Sequence, residues 1–179
     1  KALQTATAGS VIFVKSGDYT INNPLTIPTE VSLIGDNLGT TTIRPANTSS
    51  DMFYVNNGIY IAGFTFKDHV SPAAVVAYNP NGSAGVITRS PYVQNCTSIT
   101  TTGTGMRIDG AHCSGLRSMV LDSFTQYNQG GIGCKVHNRG YCQVVSMFTI
   151  CCDKSILAES GGTVSVTNSN SDFGNYALY

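Results

Sequence analysis

Leu121-Asp122-Ser123-Phe124-Thr125 decides the fold, because it is written again at Val145-Ser146-Met147-Phe148-Thr149 and, more loosely, at Thr167-Asn168-Ser169-Asn170-Ser171. The pattern is an apolar residue, two spacers, then Phe and Thr. The copies recur at a period of roughly 22–24 residues, and repetition on this scale marks units that bury their apolar faces only against one another. A second apolar pair follows each copy, Ile132 with Cys134 and Ile156 with Ala158, and Leu178 stands eight residues past Asn170. Each unit therefore holds at least two short strands. Upstream, Val93-Gln94-Asn95-Cys96-Thr97 and Ile61-Ala62-Gly63-Phe64-Thr65 extend the series at wider intervals, with a faint copy at Leu33-Ile34-Gly35-Asp36-Asn37.

The remaining segments read as strands and turns without a helical stripe. Val11 to Val14 is an apolar strand, Ser16-Gly17-Asp18-Tyr19 a turn, and Leu25 to Pro28 alternates with period two. Thr40 to Pro45 and Met52 to Val55 are further strands, and Asn56-Asn57-Gly58 is a turn. Between Ile59 and Phe66 the apolar positions change parity after Ile61, as in a strand that bends around a corner. From Asp68 to Gly85 the rhythm loosens and suggests a lateral insert, with Asn79-Pro80-Asn81-Gly82-Ser83 as an exposed loop. Val86-Ile87 and Tyr92-Val93 resume the coils, Met106 and Ile108 form another arm, and Asp109-Gly110-Ala111-His112 makes a corner.

Coils of about 22–32 residues, built from very short strands with Gly and Asn at the corners, can bury their apolar faces only by stacking. The leucine consensus of a leucine-rich repeat is missing, and a β-sandwich gives no reason for a repeated anchor. The reading is all-β, a right-handed parallel β-helix (β-solenoid). It covers residues 1–179 as one domain, with less regular first coils over 1–58, coils with inserted loops over 59–115 and compact coils over 116–179. Phe124 is expected above Phe148 in the interior, and Asn95, Asn128, Asn138 and Asn168 are expected to hydrogen-bond along the stack. The chain opens on Lys1 and stops in mid-coil at Tyr179, so a fragment of a larger chain is expected.

With 179 residues and 41% hydrophobic content there is enough apolar material for one good core. Formal net charge is zero and Lys and Arg are scattered singly, so the chain shows no electrostatic footprint for nucleic acid or an anionic membrane. No apolar run approaches the ~20 residues of a membrane helix. The six cysteines read as thiols: Cys96 takes the Phe place of its copy and Cys134 an apolar place, while Cys151 and Cys152 are adjacent. No Cys-x-x-Cys pair occurs and His112-Cys113 lacks a partner at metal-ligand spacing. No metal and no cofactor are expected.

The opening SVIFVKSGDYTINNPLTIPTEVSLIGDNLGTTTIRP resembles the first coils of pectate-lyase-like β-helix proteins. The segments MFYVNNGIYIAGFTFKDH, SPYVQNCTSITTTGTG, SMVLDSFTQYNQGGIG and GYCQVVSMFTICCDKSIL resemble β-helix segments of large virion structural proteins of tailed phages infecting marine cyanobacteria. That resemblance covers nearly the whole chain. It implies a piece of a tail, baseplate or fibre-like appendage and brings no catalytic residue with it.

Polysaccharide lyases and hydrolases on such a scaffold need two or three carboxylates, or Ca²⁺-binding acids with a base, on one face. In the repeat register Asp122 has no acidic neighbour in adjacent coils, and Asp153 falls opposite Gln129. Two local clusters mix an acid with bases: Arg107, Asp109 and His112, and Lys67, Asp68 and His69. If the chain is an enzyme, Asp109, His112, Arg107 and Asp122 are the catalytic candidates; a polar corner, with Asp before Gly turning the chain, explains the first cluster as well. Arg89-Ser90-Pro91 lacks the second arginine of the pectate-lyase motif it resembles. Tyr92, Tyr127 and Tyr141 could present a sugar-stacking surface, though the chain has no Trp.

Two functions therefore follow from the sequence. The first is a rigid virion module, with other virion proteins as partners, a homo-oligomer such as a trimer as its assembly, and a cell-surface glycan as a contact. The alternative is a polysaccharide lyase, a glycoside hydrolase or a glycan-binding domain of tailspike type.

Overall fold

The computed structural model describes residues 1–79 and 85–179, and these form a parallel β-solenoid of about seven turns. Among the described residues every strand pairing is parallel. One sheet has twelve strands, a second has seven, from Leu25–Thr26 through Ala74–Ala77 and Thr104–Asp109 to Tyr176–Leu178, and two strands form a small side ladder. The short helix Ala2–Thr5 lies at one end, where Leu3 and Ala6 pack on the core.

The repeated anchor is a corner. In five of the six copies a single residue adopts the left-handed conformation: Gly63 (φ 79°), Asn95 (φ 50°), Ser123 (φ 51°), Ser146 (φ 51°) and Asn168 (φ 48°). Gly, Asn and Ser carry this geometry with little or no Cβ clash, or offset it with a short polar side chain. The corner reverses the alternation of inward and outward positions, which is why Ile61 and Phe64 are both fully buried although three apart. Gly63 is needed there for a second reason, since a Cβ would come within 2.7 Å of the Gly35 carbonyl oxygen on the coil beneath.

Inward residues stack in columns, the arrangement expected when identical faces of neighbouring coils are the only apolar partners available. Leu33, Ile61, Val93, Leu121, Val144 and Val166 lie in register in one column. In the seven-stranded sheet Phe53, Val76, Met106, Cys134, Ile156 and Leu178 form another. A third begins with Ile43 and Phe66 and then turns polar at Ser98, Gln126, Thr149 and Ser171.

The register corrects the expected alignment by one residue in the compact coils. Thr125, not Phe124, pairs with Phe148, so Phe124 lies over Met147 and Phe148 is half-buried rather than stacked inside. Asp122 accordingly faces Val145 instead of Ser146. In the second sheet Cys134 aligns with Ile156, and Ile132 with Lys154. A corner residue between two strands can be matched by eye on its aromatic neighbour, yet the backbone aligns on the left-handed residue itself. The expected turn at Ser16–Tyr19 is also shorter, because Gly17–Ile21 is already a strand paired with Thr41–Pro45.

The segment read as a lateral insert contains a core strand, Ala74–Ala77, whose four residues are all buried. Its Ala-Val run lacks alternation because both its faces are covered. The side ladder comes later, where Val86–Ile87 pairs with Ser114–Gly115 outside the main sheets. Of the loop expected at Asn79 to Ser83, all beyond Asn79 lies outside the described residues.

Three of the four corner asparagines do bond to a neighbouring coil. Asn138 Nδ2 donates to Asp109 Oδ1 at 2.8 Å, Asn168 Nδ2 to Ser146 Oγ at 3.2 Å, and the buried Asn128 Nδ2 to the Gly103 carbonyl at 2.5 Å. They stand at different corners and do not form a common ladder. Of the cysteines, five are buried thiols and Cys151 is half-buried.

Candidate functional site

In the strand Thr104–Asp109, Met106 and Ile108 point into the core, so Arg107 and Asp109 point out. Asp109 Oδ1 accepts the Ala111 amide at 2.9 Å and thereby caps the 3-10 turn Gly110–His112. The turn returns His112, with Nε2 3.2 Å from Asp109 Oδ2. The next coil sets His137 beside Asp109, Nε2 at 3.7 Å from the same oxygen. Sequence reasoning missed His137 because a whole coil of chain separates it from Asp109; aligning Arg107-Ile108-Asp109 with Lys135-Val136-His137 is the signal that finds it.

Burial alone would raise the Asp109 carboxyl. Hydrogen bonds from Asn138 and the Ala111 amide, with the two histidines, outweigh it and hold the group below the usual carboxylate range. Burial pushes His137 down despite the neighbouring carboxylate, which keeps its imidazole neutral at neutral pH. Asp109 is thus an ionised, multiply bonded capping group. A general acid or base needs the opposite, a carboxyl with a free oxygen and a raised pKa.

Arg107 shares the strand but not the cluster. Its guanidinium pairs with Asp51, which is only 7% exposed and also accepts the Ala74 amide at 2.8 Å, and it donates to the Pro72 carbonyl at 3.1 Å. Arg107 neutralises a buried carboxylate on another coil. Lys67, Asp68 and His69 are dispersed by the left-handed backbone at Asp68 (φ 68°). Asp68 pairs outside with Arg44, which also holds Asp18 at 3.0 Å, whereas the His69 side chain is fully buried with Nε2 3.1 Å from the Thr104 carbonyl oxygen.

Asp122 lies on the twelve-stranded sheet, apart from the Asp109 cluster on the seven-stranded one. Its Oδ2 accepts from the Tyr92 hydroxyl at 2.9 Å and from Gln94 Nε2 at 2.9 Å, and its Oδ1 from Ser123 Oγ at 2.9 Å. Gln94 Oε1 in turn accepts from the Tyr60 hydroxyl at 2.7 Å. The hydrogen bond to Asp122 raises the Tyr92 hydroxyl, and burial raises that of Tyr60. Tyr60 and Tyr92 sit one above the other in register, ring centroids 6.0 Å apart. Sequence reasoning missed Tyr60; that it precedes Ile61 as Tyr92 precedes Val93 is the signal that finds this pair. Tyr127 and Tyr141 do not join it: Tyr127 stands past the corner, in register with Ile99 and Ile150, and Tyr141 is in register with Ser118.

The four catalytic candidates therefore fall into three separate places. Other carboxylates are likewise committed to cations, Glu159 to Lys135 at 2.9 Å and Asp153 to Lys154 at 2.6 Å. Among the described residues no three His, Cys, Asp or Glu side chains are grouped as a metal ion requires. Among them, too, no helix is long and apolar enough to cross a membrane.

Comparison with known proteins places these features in a family. None of the curated proteins matches the chain. Among solved structures, ORF18 of Geobacillus virus E2 is similar over 98% of this chain and 55% of its own, at 12% identity and a TM-score of 0.42. The chain thus spans about half the length of that protein. Residues 1–175 match the family described as protein of unknown function (DUF1565). With nearly its whole length covered by that match, the chain belongs to the DUF1565 family.

Proposed function

We propose that the chain is a rigid module of a phage virion, set in a tail, baseplate or fibre-like appendage of the cyanobacterial phages its segments resemble. The observation that carries this reading is the continuity of the ladders. The seven-stranded sheet runs unbroken from Leu25–Thr26 to Tyr176–Leu178, and the interior columns run with it. At ~4.8 Å per coil, about seven turns make a rod roughly 30 Å long. Such a stack holds whatever is attached at its two ends at a fixed distance and angle. Its carboxylates serve it as caps and ion pairs between coils, Asp109 to Asn138, Asp51 to Arg107 and Asp18 to Arg44 being examples.

In this reading the partners are other virion proteins and sister copies in a homo-oligomer, a trimer being the arrangement a fibre-like appendage favours, with one face toward the host surface. Antibodies raised against the purified domain are expected to label intact particles of the phage that encodes it, at a tail-associated structure. Their failure to bind purified, disrupted virions would refute the assignment. Incubation with acidic and neutral bacterial polysaccharides is expected to release neither new reducing ends nor unsaturated products. Turnover lost in Asp109→Asn or Asp122→Asn would replace the scaffold with an enzyme.

A further inference from the structure

The outer face of the twelve-stranded sheet is recessed around the Tyr60–Tyr92 pair. Two joined depressions, of about 490 and 520 Å³, share Tyr60 and Gln94 and follow the strand direction. One end lies between Glu30 and Arg89, the other at Asp36 and Asn37. The strand Ser32–Gly35 forms roughly 10 Å of the groove's straight floor at ~3.3 Å per residue, and the chain turns at either end of that strand.

We propose that this groove binds a neutral glycan, with pyranose rings laid against Tyr60 and Tyr92 and their hydroxyls read by Gln94, which Asp122 holds in place. A sugar ring presents C–H faces and hydroxyl edges, so its site needs flat apolar surface beside fixed donors and acceptors. Both are built here. The tyrosines come from successive coils, and the relay from the Tyr60 hydroxyl through Gln94 to Asp122, joined there by the Tyr92 hydroxyl, spans three coils and fixes all four side chains. Each hydroxyl donates within the relay and keeps lone pairs for a sugar O–H. Gln94 retains a second N–H for a sugar oxygen. Preorganisation of this kind lowers the entropic cost of binding.

Charge selects the ligand class. Among the described residues that line the groove, Glu30 and Asp36 stand against the single cation Arg89, so a polymer carrying a carboxylate or sulfate on each ring meets net repulsion. A neutral chain does not. The relay has no free general acid, since Asp122 is taken up by three donors, and the groove holds its glycan without cleaving it.

The test uses the 179-residue chain on a printed array of neutral and acidic bacterial glycans, followed by titration of neutral hits through tyrosine fluorescence, which no Trp obscures. Neutral glycans are expected to bind, with affinity reduced at least tenfold in Tyr60→Ala and Tyr92→Ala. Gln94→Ala, which leaves both rings and the core in place, is expected to weaken binding severalfold should an alanine variant at a tyrosine fail to fold. Tyr127→Ala, around the corner, is expected to bind as the parent does. The proposal is overturned by no binding to the array, by tighter binding of acidic glycans, or by equal losses in Tyr92→Ala and Tyr127→Ala.

Discussion

His69 is a base that its burial keeps neutral at neutral pH. Its side chain is fully buried against Gly103, its Nε2–H donates to the Thr104 carbonyl, and Nδ1 is buried without a hydrogen-bond partner. Burial lowers its pKa from 6.5 to about 4. The folded state therefore binds fewer protons here than the unfolded chain, so stability is full above pH 6.5 and is lost as pH falls toward 4. The shift corresponds to about 3 kcal/mol. Chemical denaturation between pH 7.5 and 4.5 is expected to show this loss, and His69→Gln is expected to flatten it; an unchanged slope in the variant would assign the dependence to other groups. Gln126 poses a related problem. Both its amide atoms are buried without partners, as is the Ser98 hydroxyl in the same interior column, and Gly105 leaves the room it occupies. An unsatisfied buried amide costs more than an apolar group of equal volume. Gln126→Leu is expected to stabilise the fold by about 1–2 kcal/mol. A loss of that size would mean that ordered water satisfies the amide.

The corner carries the fold at the next scale. Because Gly63 combines φ 79° with a 2.7 Å approach to Gly35, Gly63→Ala is expected to destabilise by about 1–3 kcal/mol. Ser123→Gly, at an exposed corner without such an approach, is expected to fall within about 0.5 kcal/mol of the parent. Equal effects in thermal melts would show that conformation rather than coil spacing sets the cost. These corners explain what could be read from the chain. The parity change at Ile61 and Phe64 and the wider intervals of the early coils were visible, since each corner is flanked by apolar residues on both sides. The slip at Phe148 was not, because Met147 and Phe148 are both apolar and only the left-handed Ser146 separates one alignment from the other. The strand Ala74–Ala77 escaped because a segment buried on both faces shows no alternation. For the sites, Asp109 with His112 was legible as neighbours in sequence. His137 and Tyr60 required knowing which coil lies on which, and the diversion of Arg107 to Asp51 crosses 56 residues.

Across the whole molecule, coils of unequal length share one pitch. In the Leu33 column the stretch of chain from Ile61 to Val93 is the longest and that from Ile12 to Leu33 the shortest, yet all the strands stay in register. The surplus leaves the stack sideways, as the Val86–Ile87 and Ser114–Gly115 ladder does. A short peptide inserted after Ile87 is therefore expected to leave the melting temperature within a few degrees of the parent, whereas the same insert after Val93 is expected to prevent folding; equal tolerance at both would contradict the stacking account. The parallel ladders have one more consequence. Their hydrogen bonds point along the rod, while the covalent chain winds around it. Pulled end to end, the molecule loads a few weak bonds at a time and peels coil by coil. Squeezed along its length or bent sideways, it opposes the load with packed side chains and unbroken backbone. As a mechanical part it is a strut and not a tether, suited to transmitting a push.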